Sequence, residues 1–197
     1  MSRDLLAEFL LWSTIGSHAA TQRLEAHGLP ADVDRIADAI YGRPGPFGVE
    51  HTSIELVLGA APVLPVGDSL FEIDNAGRWA VLQPVAAAGG EVVDVVAYHP
   101  ANPDCCRLLT GEGEALGLLE LELLGDGDTV ICYETPLSWI RAGGRGMCLL
   151  TDDWAVAQRI LTGERRVGAE TAELGRLLDR LLRYRPAPQV LVLEQAP

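Results

Sequence analysis

Hydrophobic positions fall along this chain in two rhythms, one close to the helical period and one close to the strand period. Between Arg3 and His27, residues Leu5, Leu6, Phe9, Leu10 and Trp12 mark a wide apolar stripe, which predicts one helix stopped by Gly28 and Pro30. Asp32 to Tyr41 repeats the helical spacing with Val33, Ile36, Ala37 and Ile40. The stretch "GRPGPFG" then interrupts the pattern and reads as a linker.

From Glu50 to Thr110 the rhythm is that of strands. "LFEIDNAGRWAVLQPV" predicts two strands joined as a hairpin through Asp74, Asn75, Ala76 and Gly77. "EVVDVVAYHP" and "CRLLTG" predict a second pair, with the polar stretch "YHPANPDCCRL" as their connection. Together these runs suggest an antiparallel meander of four or five strands.

After Gly111 the apolar runs "DTVICYE", "GRGMCLL", "RRVGA" and "QVLVLEQ" alternate with segments carrying helix signals. Thr135 and Pro136 form an N-cap followed by proline at the first helical position, and Gly143 suits the stop. In the last helix Leu174, Leu177, Leu178, Leu181 and Leu182 make one stripe. Glu170 and Glu173 stand at its start and Arg180, Arg183 and Arg185 at its end, as the helix dipole favours. Apolar strands alternating with amphipathic helices predict parallel pairing through right-handed crossovers. The expected fold is therefore mixed, α+β passing into α/β. It comprises a helical segment over 1–45, an antiparallel β-rich region over 46–127, and a small βαβαβαβ layer with a largely parallel sheet over 128–197, separate or joined in one compact unit.

Composition narrows the function classes. A hydrophobic fraction of 48% in 197 residues supports a buried core. The balance of 15 basic against 28 acidic residues, a net charge of -13, opposes duplex or membrane-surface binding, which needs excess positive charge. All the basic residues are arginine, which points to a GC-rich genome rather than to any chemistry. Asp4 and Glu8 interrupt what a signal peptide would keep apolar, and no uncharged run reaches the ~18 residues of a membrane helix. Four cysteines do not make a secreted disulfide framework, so a reduced, cytoplasmic setting is expected.

Several stretches carry groups with possible chemistry. "YHPANPDCCRL" gathers a histidine, an aspartate and adjacent cysteines, but neighbouring strand residues point to opposite faces, so Cys105 and Cys106 are poorly placed to share a zinc ion. Cys132 and Cys148 lie inside apolar strands and read as small buried hydrophobes. "RAGGRG" follows a helix rather than preceding one, so it lacks the geometry of a phosphate loop. The arginines at 176, 180 and 183 have acidic neighbours at helical spacing and read as a solvated, paired face.

Glu134 and the pair Asp152–Asp153 stand at the carboxyl ends of two predicted strands, where open α/β sheets bind ligands. Carboxylates there can hold magnesium. Thr151, Asp152 and Asp153 are equally good residues for starting a helix.

A glutamate after one strand and an acidic pair after another resembles the Toprim arrangement of primases and topoisomerases, over about 128–197. Thr135 stands where that family usually has glycine, and its aspartates are spaced D-x-D. The resemblance implies a divalent-metal-dependent nucleic-acid enzyme, or an inactive relative. Glu134 would then be the general acid or base, with Asp152 and Asp153 as magnesium ligands. Separately, "VDVVAYHPANPDCCRLLTGEGEALG" and "ETPLSWIRAGGRGMCLLTDDWAVAQRIL" resemble an uncharacterised family of alphaproteobacterial proteins from phage-like or mobile-element gene clusters. That likeness implies a context and no activity. The other expectation is a non-enzymatic binding or assembly module, whose stripe Leu5–Trp12 docks on a protein partner or a second copy.

Overall fold

The computed structural model describes residues 4–15, 17–29, 43–45, 48–50, 53–123, 128–162 and 166–183. The helix expected over Asp32–Tyr41 and the strand expected in "QVLVLEQ" lie outside them. In place of one helix over Arg3–His27 there are two, α1 (Leu5–Ile15) and α2 (Ser17–Ala26). They serve different parts of the core, Phe9 of α1 entering one apolar cluster and Leu24 of α2 another. The stretch read as a linker carries an antiparallel ribbon of β1 (Arg43–Gly45) and β2 (Gly48–Glu50), with Arg43 opposite Glu50.

The expected meander is instead a closed five-stranded barrel. β3 (Gly59–Val66), β4 (Leu70–Ile73), β5 (Arg78–Ala86), β6 (Val92–His99) and β7 (Asn102–Leu108) run in the spatial order β3-β4-β7-β6-β5. β4 and β5 do not form the predicted hairpin with each other. Both pair with β3, whose Val63 faces Ile73 on one side and Arg78 on the other. The turn itself is present, with Asp74 accepting from the Ala76 amide at 2.7 Å, but it carries the chain across β3. A Cβ on Gly77 would lie 2.3 Å from the Val63 carbonyl oxygen, so only glycine makes that crossing without a shift. β6 and β7 pair antiparallel as expected. Because β7 begins at Asn102, most of "YHPANPDCCRL" is strand and the turn is only Pro100 and Ala101.

Alternation along the strands divides the core. One face of the barrel puts Ala61, Phe71, Ala80, Leu82, Val95 and Ala97 around Phe9. The other puts Val81, Val85, Val96 and Tyr98 against Leu24 and Leu29, and against Leu137, Trp139 and Ile140 of the C-terminal half. Barrel and C-terminal layer therefore share a core.

Two buried carboxylates fasten this junction. Glu55 accepts from the Ala86 amide at 3.0 Å and from the Gly117 amide at 3.0 Å, tying β5 to the chain leaving β8 (Ala115–Leu116). Asp94, fully buried on β6, accepts from the amides of Val95, Leu109, Thr110, Glu112 and Gly113 at 2.7–3.0 Å. It holds the loop after β7 in shape by giving the loop's N–H groups an acceptor, in bonds that are buried at Gly113 and half-buried elsewhere.

In the C-terminal layer three of the expected strands pair in parallel. β9 (Thr129–Tyr133) pairs in parallel with β10 (Met147–Leu149) on one side and with β11 (Arg166–Ala169) on the other. β8 adds an antiparallel edge to β10 and, with α3 (Leu118–Leu123), is absent from the sequence-based expectation. α4 (Pro136–Arg141) leads from β9 to β10 and packs on the barrel side. α5 (Trp154–Leu161) leads from β10 back past β9 to β11, and its Leu161 packs with Leu178 of α6 (Ala172–Arg183) in a separate cluster. Consecutive connections on opposite faces leave a crevice at the carboxyl ends of β9 and its neighbours. Among the described residues, no helix is long and apolar enough to cross a membrane.

Candidate functional site

That crevice is a cleft of about 650 Å³, lined by the ends of β9 and β10, the start of α5, one face of α6 and Asp104 of β7. Its volume falls within the roughly 300–1,000 Å³ of ordinary ligand sites. Glu134, Asp152 and Asp153, the carboxylates singled out by the sequence, all line it. Two of them already have local partners.

Asp153 is the N-cap of α5. Its side chain accepts from the Ala155 amide at 2.9 Å, and its own amide donates to the Thr151 hydroxyl at 3.0 Å. Glu134 leaves β9 and accepts a short hydrogen bond from the Thr171 hydroxyl, while its amide donates to the Glu170 carboxylate at 3.2 Å. Thr171 in turn accepts from the Leu174 amide at 3.1 Å, satisfying an orphan donor of the first turn of α6. Glu134 thus ties the end of β9 to the start of α6. The next residue opens α4 through a capping box, in which Thr135 accepts from the Ser138 amide at 3.1 Å and Ser138 accepts from the Thr135 amide at 3.3 Å.

The remaining acidic groups of the rim, Asp104, Asp152 and Glu173, are exposed, and their carboxylates bond to no described residue. Arg180 supplies the basic group of the lining. Beneath the rim the cleft is apolar, with Leu149, Ala157, Leu174, Leu178 and Leu181. Leu177 of α6 stands 45% exposed at its edge.

Among the described residues, no three side chains from histidine, cysteine, aspartate and glutamate are grouped so as to hold a metal ion. In this arrangement the donor set does not fit magnesium. Cys132 borders the cleft, and burial pushes its thiol up to about 11. Burial raises Cys106 as well, and Cys148 well above the ordinary thiol value. These sulfurs stay protonated near neutral pH and are poor nucleophiles. Cys105 is exposed and Cys106 half-buried, on opposite faces of β7 as their adjacency predicts.

A second cluster escaped the sequence reading. His27 stacks on Trp79 with ring centroids 5.7 Å apart, His99 meets the edge of Trp79 at 5.4 Å, and the Arg23 guanidinium lies 5.7 Å from the indole centre. The His99 Nδ1 accepts from the Ala101 amide at 3.1 Å, which leaves its proton on Nε2 when the ring is neutral. Trp79 and His99 come from the paired strands β5 and β6, and Arg23 of α2 and His27 just beyond it pack on them, so no spacing in the chain announces the cluster. Asp94 and Glu55 did leave a signal, each a lone carboxylate within an apolar run.

In comparisons with protein-family models, curated proteins and solved structures, none matches this chain.

Proposed function

We propose that the protein is a non-enzymatic binding module, and that the cleft at the carboxyl ends of β9 and β10 receives a leucine-bearing segment of a partner protein. The observation that carries this reading is the lining itself, an apolar floor of leucines opened to solvent at Leu177 beneath a polar rim. An open apolar recess with a few polar groups is the usual form of a binding site. The stripe Leu5–Trp12 is a weaker docking surface than its sequence suggests. Leu5 and Phe9 are buried, Leu10 and Trp12 pack on the barrel, and Leu11 is the exposed large side chain of α1. The phage or mobile-element context implied by the sequence resemblance suits an assembly component of this kind.

The competing reading is a Toprim-like, magnesium-dependent nucleic-acid enzyme or a degenerate relative. Its support is that Glu134, Asp152 and Asp153 share one cleft outside the ends of parallel strands. Thermal melting with and without magnesium chloride separates the two, since an ion bound to the native state raises Tm. The binding module predicts the same ion response for the wild type and for Asp152→Asn. A rise in Tm that Asp152→Asn abolishes would overturn it in favour of the metal site.

A further inference from the structure

The charge of the cleft defines its partner more narrowly. Five carboxylates line it, from Asp104, Glu134, Asp152, Asp153 and Glu173, against the single guanidinium of Arg180. Glu134 and Asp153 are engaged by Thr171 and by the first turn of α5, and Asp104, Asp152 and Glu173 are not bonded to described residues. These three come from β7, the β10–α5 loop and α6, so the fold rather than one acidic run brings them to the same cleft. The lining thus carries an excess of negative charge, which favours a cationic partner. The floor is leucine, which gives a purely ionic ligand such as a polyamine nothing to bury.

We infer, resting on the binding-module reading, that the occupant is a basic amphipathic protein segment. Its leucine-type side chains enter the floor between α5 and α6, and its arginines or lysines meet Asp104, Asp152 and Glu173 at the rim. The net charge of -13 acts in the same direction, speeding encounter with a basic partner and disfavouring an acidic one. Rim charges of this kind set on-rate and selectivity, while the apolar floor sets the residence time.

Fluorescence anisotropy of three labelled synthetic amphipathic peptides tests the inference. All three share one leucine stripe, and their polar positions are arginine, glutamine or glutamate. The wild type is predicted to bind the arginine peptide ~10-fold or more tighter than the glutamine peptide, equivalent to ~1.4 kcal/mol. The glutamate peptide should bind weakest, and the preference should shrink as salt rises from ~0.05 to ~0.3 M. The double variant Asp104→Asn/Asp152→Asn, whose changes are on the surface and preserve side-chain shape, should lose most of the preference. If the arginine and glutamine peptides bind equally, and Leu177→Gln weakens both, the cleft is a binding site but its basic partner is wrong. If no peptide binds the wild type, the inference and the binding-module reading fall together.

Discussion

At the scale of single residues, two buried carboxylates hold the segments that join the barrel to the C-terminal layer. Asp94 on β6 accepts from five amides, four of them in the loop after β7, and Glu55 bridges β5 and the start of the C-terminal layer. Each stands in the sequence as a lone acid among apolar neighbours, a signal that the sequence reading did not use, and what it binds is not written there because partners lie up to 62 residues away. The cysteines show the same dependence on surroundings. Cys132 titrates at about 11 in the fold against an ordinary 9.0, because burial disfavours the thiolate. A value raised by folding means that the native state keeps a proton the unfolded chain releases. Its stabilising contribution is therefore complete below pH 9.0 and is lost as pH climbs towards about 11. Urea denaturation across that window should show stability falling with pH. The slope should be shallower in Cys132→Ala, and an unchanged slope would contradict the assignment.

At the scale of elements, helix starts were the most legible feature, since caps are written in adjacent residues. Thr135–Pro136 opens α4 and Asp153 opens α5, as local chemistry predicts. This gives Asp153 a structural duty distinct from metal binding. Asp153→Ala is predicted to cost ~1 kcal/mol of stability, while Asp153→Asn, which can still cap, costs little. Chemical denaturation of both variants checks this. Equal stability of the wild type and Asp153→Ala would show that the cap is not what holds the residue. Strand pairing was less legible. The turn at Asp74–Gly77 is real, yet its flanking strands both pair with β3, because pairing depends on which third strand closes the barrel. Gly77 looked like a turn residue, and its tight approach to the Val63 backbone could not be read from the chain.

At the scale of the whole molecule, the parallel layer was legible because its βα alternation leaves few topologies. The barrel was not, since closure joins β4 to β7 through a single parallel pair, Leu70 and Leu108. The cleft lies between these two cases. Glu134, Asp152 and Asp153 were found from their positions after strands, whereas Asp104 arrives from the barrel and Glu173 and Leu177 from α6. Those additions shift the reading from a metal centre towards an acid-rimmed apolar groove. The central claim is that this groove takes up leucine-type side chains. Two-dimensional NMR of the labelled protein, titrated with N-acetyl-leucinamide, tests it most directly. The account predicts saturable shifts of the Trp154 indole and of the Leu177 and Leu181 signals, with the barrel signals still. A still Trp154 indole and still Leu177 and Leu181 signals throughout the titration, whatever moves elsewhere, would contradict it.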